Sequence, residues 1–195
     1  LNERCEPTEI LCRPRGEAER MIESFMLAAN ECAARLARDA GLPFVYRVHE
    51  APDPERMQAL EAFLNLNGQR AHLGEHPHPG MLQRVLADCA DAPEHDSIRR
   101  MVLRSLKKAR YAAQPLGHYA LAMADYCHFT SPIRRYPDLM VHRMLKLLLD
   151  GDSARIAPWE ARMPEISAFS SLREQAGVQA EREADDMMKA AWMSH

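Results

Sequence analysis

No run of apolar residues in this 195-residue chain comes near the length of about 18–20 that a membrane-spanning helix needs. Nor is there a basic start followed by an apolar stretch and a small-residue cleavage site, so no secretory signal is read. The five cysteines (Cys5, Cys12, Cys32, Cys89 and Cys127) are odd in number and contain no C-x-x-C pair. That argues against a disulfide framework and against a zinc site, and it fits a reducing, cytoplasmic setting. No internal repeat or low-complexity segment is present.

What is present is the composition of a soluble globular domain: 47% apolar and 27% charged residues. The chain starts at Leu1 rather than Met and stops soon after Trp192 without a closing element. The expectation is a piece of a longer protein, with processing to a mature form as the alternative. Net charge is −3, which by itself speaks against a general nucleic-acid binder, but its distribution does not. Residues 1–97 carry 10 basic and 17 acidic side chains, and residues 147–195 carry 5 and 9. Between them, residues 98–146 hold 10 Lys/Arg against only Asp125 and Asp138, a net +8. Such a block can concentrate a polyanion in one place while the rest of the chain repels it. The plain alternative is a solvated helix face.

Periodicity gives a helix-rich α+β class. Met21, Ile22, Phe25, Met26, Ala29, Ala33 and Leu36 recur at helical spacing from Gly16 to Ala40 and predict a core-facing stripe, with Gly41 and Pro43 as the stop. Glu23, Leu27, Asn30 and Ala34 form a second stripe, so Glu23 is expected to face an interface rather than bulk water. Residues 44–48 read as a strand. A helix capped by Asp53 runs to Gly68, a Gly/His/Pro loop covers 69–80, and a short helix follows to Ala90. Another helix is read from Ile98 to near Tyr111, and His118–Met123 is a strand candidate. The last two helices run from Pro137 to Gly151 and from Glu165 to Trp192.

The chemistry concentrates in HFTSPIRRYPD, His128 to Asp138. Ser131 before Pro132 reads as a cap and first turn whose free amides suit a phosphate. Arg134 and Arg135 offer guanidinium forks for phosphate oxygens, and Phe129 and Tyr136 offer faces for unpaired bases. The competing expectation is that one or both arginines pair internally, for instance with Asp138 or Glu23.

The stretch GHYALAMADYCHFTSPIRRYPDLMVHR resembles the signature of the RNB exoribonucleases, the ribonuclease II/ribonuclease R family. HFTSPIRRYPDL places it nearer the ribonuclease R branch. MIESFMLAANECAARL is similar to that family's upstream helix, and SLREQAGVQAEREADDMMKAAWM to its last RNB helix. The resemblance implies the C-terminal part of an RNB catalytic domain, with helices on a small, incomplete sheet. The implied activity is processive 3′–5′ hydrolysis of single-stranded RNA to nucleoside 5′-monophosphates by a full-length enzyme expected to be monomeric. By the same resemblance, Glu23 matches the helix glutamate near the last nucleotides. Arg134 matches the S-P-I-R arginine near the scissile phosphate, where it would stabilise developing charge. His118, Tyr119, His128, Thr130, Ser131, Arg135 and Tyr136 would line the RNA channel, with Asn30 of the Glu23 stripe beside them. His142 and Arg143, just beyond the motif, are read as braces for it.

Magnesium is the implied cofactor, working as a metal pair in an in-line displacement by water. The aspartate cluster that would bind it is not found in this sequence, and neither is the family's tyrosine ahead of the helix glutamate. Asp185 and Asp186, adjacent on a helix, cannot aim at one ion, so no metal ligand is assigned here. Ala120, Cys127 and Gln175 depart from the usual pattern without touching Glu23 or Arg134. Two other readings stay open: a non-catalytic RNA-binding or regulatory module, and a helical interaction domain that binds no nucleic acid.

Overall fold

The computed structural model describes residues 7–11 and 14–194, so Leu1, Cys5 and Cys12 lie outside it. The first helix, α1 (Glu17–Asp39), begins at Gly16, whose N–H donates to the Glu19 carboxylate at 3.1 Å. Acidic Glu17 and Glu19 in the first turn complement the positive end of the helix dipole. Gly41, at φ +59°, ends the helix in a backbone region that suits glycine. The chain then passes through buried Phe44 and Val45 into β1 (Tyr46–Val48).

Three helices follow, α2 (Pro54–Leu66), α3 (Pro79–Asp88) and α4 (His95–Ser105), before the short strand β2 (Arg110–Ala112). Beyond β2, a 3-10 turn at Tyr119–Leu121 leads through the motif loop into α5 (Tyr136–Leu149). The chain closes with α6 (Ser153–Ile156), a second 3-10 turn at Ala157–Trp159 and the long α7 (Met163–Met193). The helix-rich α+β expectation is met by these seven helices and one two-stranded sheet among the described residues.

The strands pair antiparallel, with Tyr46 opposite Ala112 and Val48 opposite Arg110. On this ribbon sits the larger core, built from Ala33, Ala34 and Ala37 of α1, Met140, Val141 and Met144 of α5, Cys127, and Met163 at the start of α7. A second core joins α2, α3 and α4 through Met57, Leu60, Leu64, Leu82, Ile98 and Val102. Each of these fully buried apolar side chains contributes roughly 1.5–3 kcal/mol relative to exposure. The two cores are tied together at His49, whose Nε2 lies 2.7 Å from the Lys107 carbonyl and whose own carbonyl accepts from Tyr119 N at 2.7 Å.

Four expectations need correction. The helix read to Tyr111 stops at Ser105, and residues 110–112 are strand. Pairing with β1 and a bond from Tyr111 N to Ser171 Oγ of α7 (2.9 Å) override the local helical pattern. His118–Met123 is no strand: it curls into the 3-10 turn, closed by a single bridge between its two ends. Asp53 does not cap α2 with its side chain; the carboxylate goes to Lys107 Nζ at 2.8 Å. Finally, Met21, Ile22, Phe25 and Leu36 of the predicted α1 core stripe are exposed, while Asn30, Ala33, Ala34 and Ala37 are buried. Only the C-terminal half of α1 lies on the core, and the face it uses is the one with the small residues.

Candidate nucleic-acid interface

Asp138 organises the motif. It is fully buried in the first turn of α5, and its Oδ1 accepts from Ser131 N and from Arg135 Nη2, each at 2.8 Å. This decides between the two arginines. Arg135 is neutralised internally, as the competing expectation allowed for one of them. Arg134 is exposed and has no carboxylate partner among the described residues. The Ser131–Pro132 step is not a helix start: residues 132–134 form a turn and α5 begins at Tyr136. The Ser131 amide is therefore spent on Asp138 and is not free for phosphate.

The loop is braced from three sides. Asn30 of α1 donates from Nδ2 to the Tyr126 hydroxyl at 3.0 Å and accepts at Oδ1 from Phe129 N at 2.9 Å. At 3% exposure with both amide ends used, Asn30 shapes the loop. His142 Nε2 lies 2.8 Å from the Phe129 carbonyl, and its ring stacks on Phe129 at 4.3 Å. His142 is thus the brace that was expected, and it covers one face of Phe129. His128 shares a 2.9 Å hydrogen bond with the Tyr111 hydroxyl and sits edge-on to Tyr111 and Tyr126.

Burial, reinforced by the charges of Arg135 and Arg47, pushes the His128 pKa down to about 3. Burial, with His49 and Arg47 nearby, takes His118 to about 4. Both rings are therefore neutral near pH 7 and supply no cation to a phosphate. Tyr119 spends its hydroxyl on the Pro77 carbonyl at 2.6 Å, pinning the 69–80 loop. Thr130 Oγ1 is buried without a partner.

Arg134 opens into a cleft of about 440 Å³ between the motif and α7. Tyr136, about half exposed, stands beside it. The far wall comes from one face of α7, through Phe169, Arg173, Glu174, Val178 and Glu181. The Arg173 guanidinium lies over the Phe169 ring at 4.8 Å. Glu174 pairs with Arg47 at 2.6 Å, and Arg47 in turn covers Tyr111 at 4.7 Å. The α7 residues were not singled out from sequence, although their spacing of three and four puts them on one helix face.

Glu23 departs from expectation. Its side chain is 49% exposed and pairs with Arg15, because α1 has left the core by that point. Glu23 and Asn30 share a stripe, and roughly two turns, or about 10 Å, separate the carboxylate from the place where Asn30 docks the loop. No ion pair joins Glu23 to Arg134 among the described residues. Among the described residues no group of three or more His, Cys, Asp or Glu side chains is placed to hold a metal ion, so the implied magnesium has no fitting ligand set here. No described helix is long and apolar enough to cross a membrane.

A model of the RNB domain matches residues 1–151. The chain belongs to the RNB family. Ribonuclease R of Thermotoga maritima is 43% identical over the whole chain, which spans 28% of that relative's length. The structure of Mycoplasma genitalium RNase R in complex with double-stranded RNA superposes with a TM-score of 0.92 at 28% identity, covering all of this chain and 35% of that one. The yeast pseudonuclease Ssd1 shares the fold over 81% of the chain and 20% of its own, with a TM-score of 0.65 at 22% identity. This RNB chain thus spans about a fifth to a third of the length of these proteins.

Proposed function

We propose that the chain is the downstream part of an RNB catalytic domain in a ribonuclease R-type 3′–5′ exoribonuclease. It acts on single-stranded RNA and releases nucleoside 5′-monophosphates. Arg134 carries the reading. Of two adjacent arginines, one is locked to a buried aspartate and the other is left unneutralised at the mouth of a cleft. A guanidinium fork held there stabilises negative charge growing on the oxygens of a phosphate under attack. Tyr136 and the Arg173–Phe169 pair supply planar surfaces for unpaired bases. Magnesium, in this proposal, is held by carboxylates outside this chain. The RNA-bound structures of the Mycoplasma RNase R support RNA as the partner.

The second reading is a non-catalytic RNB module that binds RNA without cleaving it. The two part on one experiment. The full-length protein is incubated with 5′-labelled single-stranded RNA and magnesium, and the products are resolved. Stepwise shortening from the 3′ end with release of 5′-monophosphates is expected. RNA that is bound yet stays intact would support the non-catalytic reading, and 3′-monophosphate products would contradict the proposed chemistry.

A further inference from the structure

A second cationic pocket lies away from the Arg134 cleft and shares no lining residue with it. It has a volume of about 710 Å³, the size range of a small-ligand site, and forms where the C-terminal half of α5 faces α6 and the following 3-10 turn. Arg143, Lys146, Arg155 and Arg162 converge on it, against one lining carboxylate, Asp150. Among the described residues no carboxylate lies within ion-pair distance of Arg143, Lys146 or Arg162; only Arg155 has one, Asp152 at 3.5 Å. Like charges brought together without compensation repel, so an anion entering the pocket gains from all of them at once. Trp159 also lines the pocket, with the Arg162 guanidinium over its ring at 4.8 Å. A cation layered on an indole is a flat platform on which a base can stack, next to cations that can take its phosphate.

We infer that this pocket binds one nucleotide, its phosphate held by Arg143 and Lys146 and its base against the Trp159–Arg162 platform. The nucleotide belongs either to a single strand of RNA or to a free 5′-mononucleotide. The inference rests on RNA being the partner of the chain.

Trp159 is itself the reporter, since the chain has only one other tryptophan, Trp192, exposed near the end of α7. In full-length protein that keeps Trp159 and carries Trp192→Phe, with phenylalanine at any other tryptophan, fluorescence is titrated with AMP, with oligo(A) under EDTA and with inorganic phosphate. Saturable quenching by AMP or oligo(A) is expected. Much tighter binding of the oligomer assigns the pocket to a strand, and equal binding per nucleotide assigns it to free nucleotide. Silence towards both, or an equal response to inorganic phosphate, would overturn the inference, and neither result needs a variant inside the pocket. Adding Arg143→Glu and Lys146→Glu, both on exposed side chains, should weaken quenching at least tenfold. For oligo(A) it should also lower the salt slope of log affinity by about 0.7, the value for one phosphate contact on a single strand. An unchanged slope and affinity would remove the two cations. Quenching of Trp159 alongside turnover indifferent to Arg134→Ala would sink the catalytic reading alone. Lost turnover with a silent Trp159 would sink this pocket alone.

Discussion

Arg134 and Arg135 are neighbours in sequence with opposite roles because Asp138 pairs with Arg135 alone. The carboxylate also holds the Ser131 amide, so a single buried charge sets both the turn and the division of labour. Removing it strands the Arg135 guanidinium, whose Nε is already buried without a partner. Asp138→Ala should cost about 3–5 kcal/mol in urea unfolding, the loss typical of breaking a buried ion pair. A cost below about 1 kcal/mol would show the pair to be weakly coupled to the fold. The neutral histidines add a pH dependence of definite sign. Unfolded, His118 and His128 titrate near 6.5; folded, they resist protonation down to about 4 and about 3. As pH falls below 6.5 the unfolded chain takes up protons that the native state refuses, so stability declines through that window and is retained above it. The urea midpoint should fall between pH 7 and pH 5, and His128→Gln should flatten that fall. A variant with the same pH slope would contradict the assignment.

At the scale of elements, helix starts and stops were legible wherever local chemistry decides them. Gly41 and Gly151 stop α1 and α5 in the left-handed region, and Pro54 and Pro137 open helices close to where they were read. The strand at Arg110–Ala112 was not legible, because nothing between Ile98 and Tyr111 breaks a helical pattern. Its extended backbone comes from β1 and α7, which are distant in sequence. The inner face of α1 was misread for a related reason. Its large apolar residues form the more obvious stripe, yet the structure packs the alanines and Asn30, and nothing described covers Met21, Ile22 or Phe25. Arg134 was found from its motif, whereas the α7 wall of its cleft needed the fold to bring it there. Asn30 is the joint between α1 and the motif loop, so Asn30→Ala should cost about 1–3 kcal/mol by orphaning the Phe129 amide. It should also lower hydrolysis by loosening the loop that presents Arg134. Full activity with full stability would mean the loop is held by other contacts.

Across the whole molecule, charge and fold work together. The basic central segment does not form one uniform face. Asp53, Glu50 and Asp138 neutralise Lys107, Arg110 and Arg135 in place. Among the cations left without a carboxylate partner, Arg134 stands at the cleft and Arg143 with Lys146 at the second pocket, while Arg99, Arg100, Arg104 and Lys108 lie on or just after α4. The proposed chemistry depends on Arg134. In the full-length protein, Arg134→Ala should be compared with the unaltered enzyme by single-turnover hydrolysis of labelled single-stranded RNA and by equilibrium binding of the same RNA. The account predicts turnover about a hundredfold lower or worse, with the dissociation constant nearly unchanged. Unaltered turnover, or a loss of rate matched by an equal loss of binding, would contradict it.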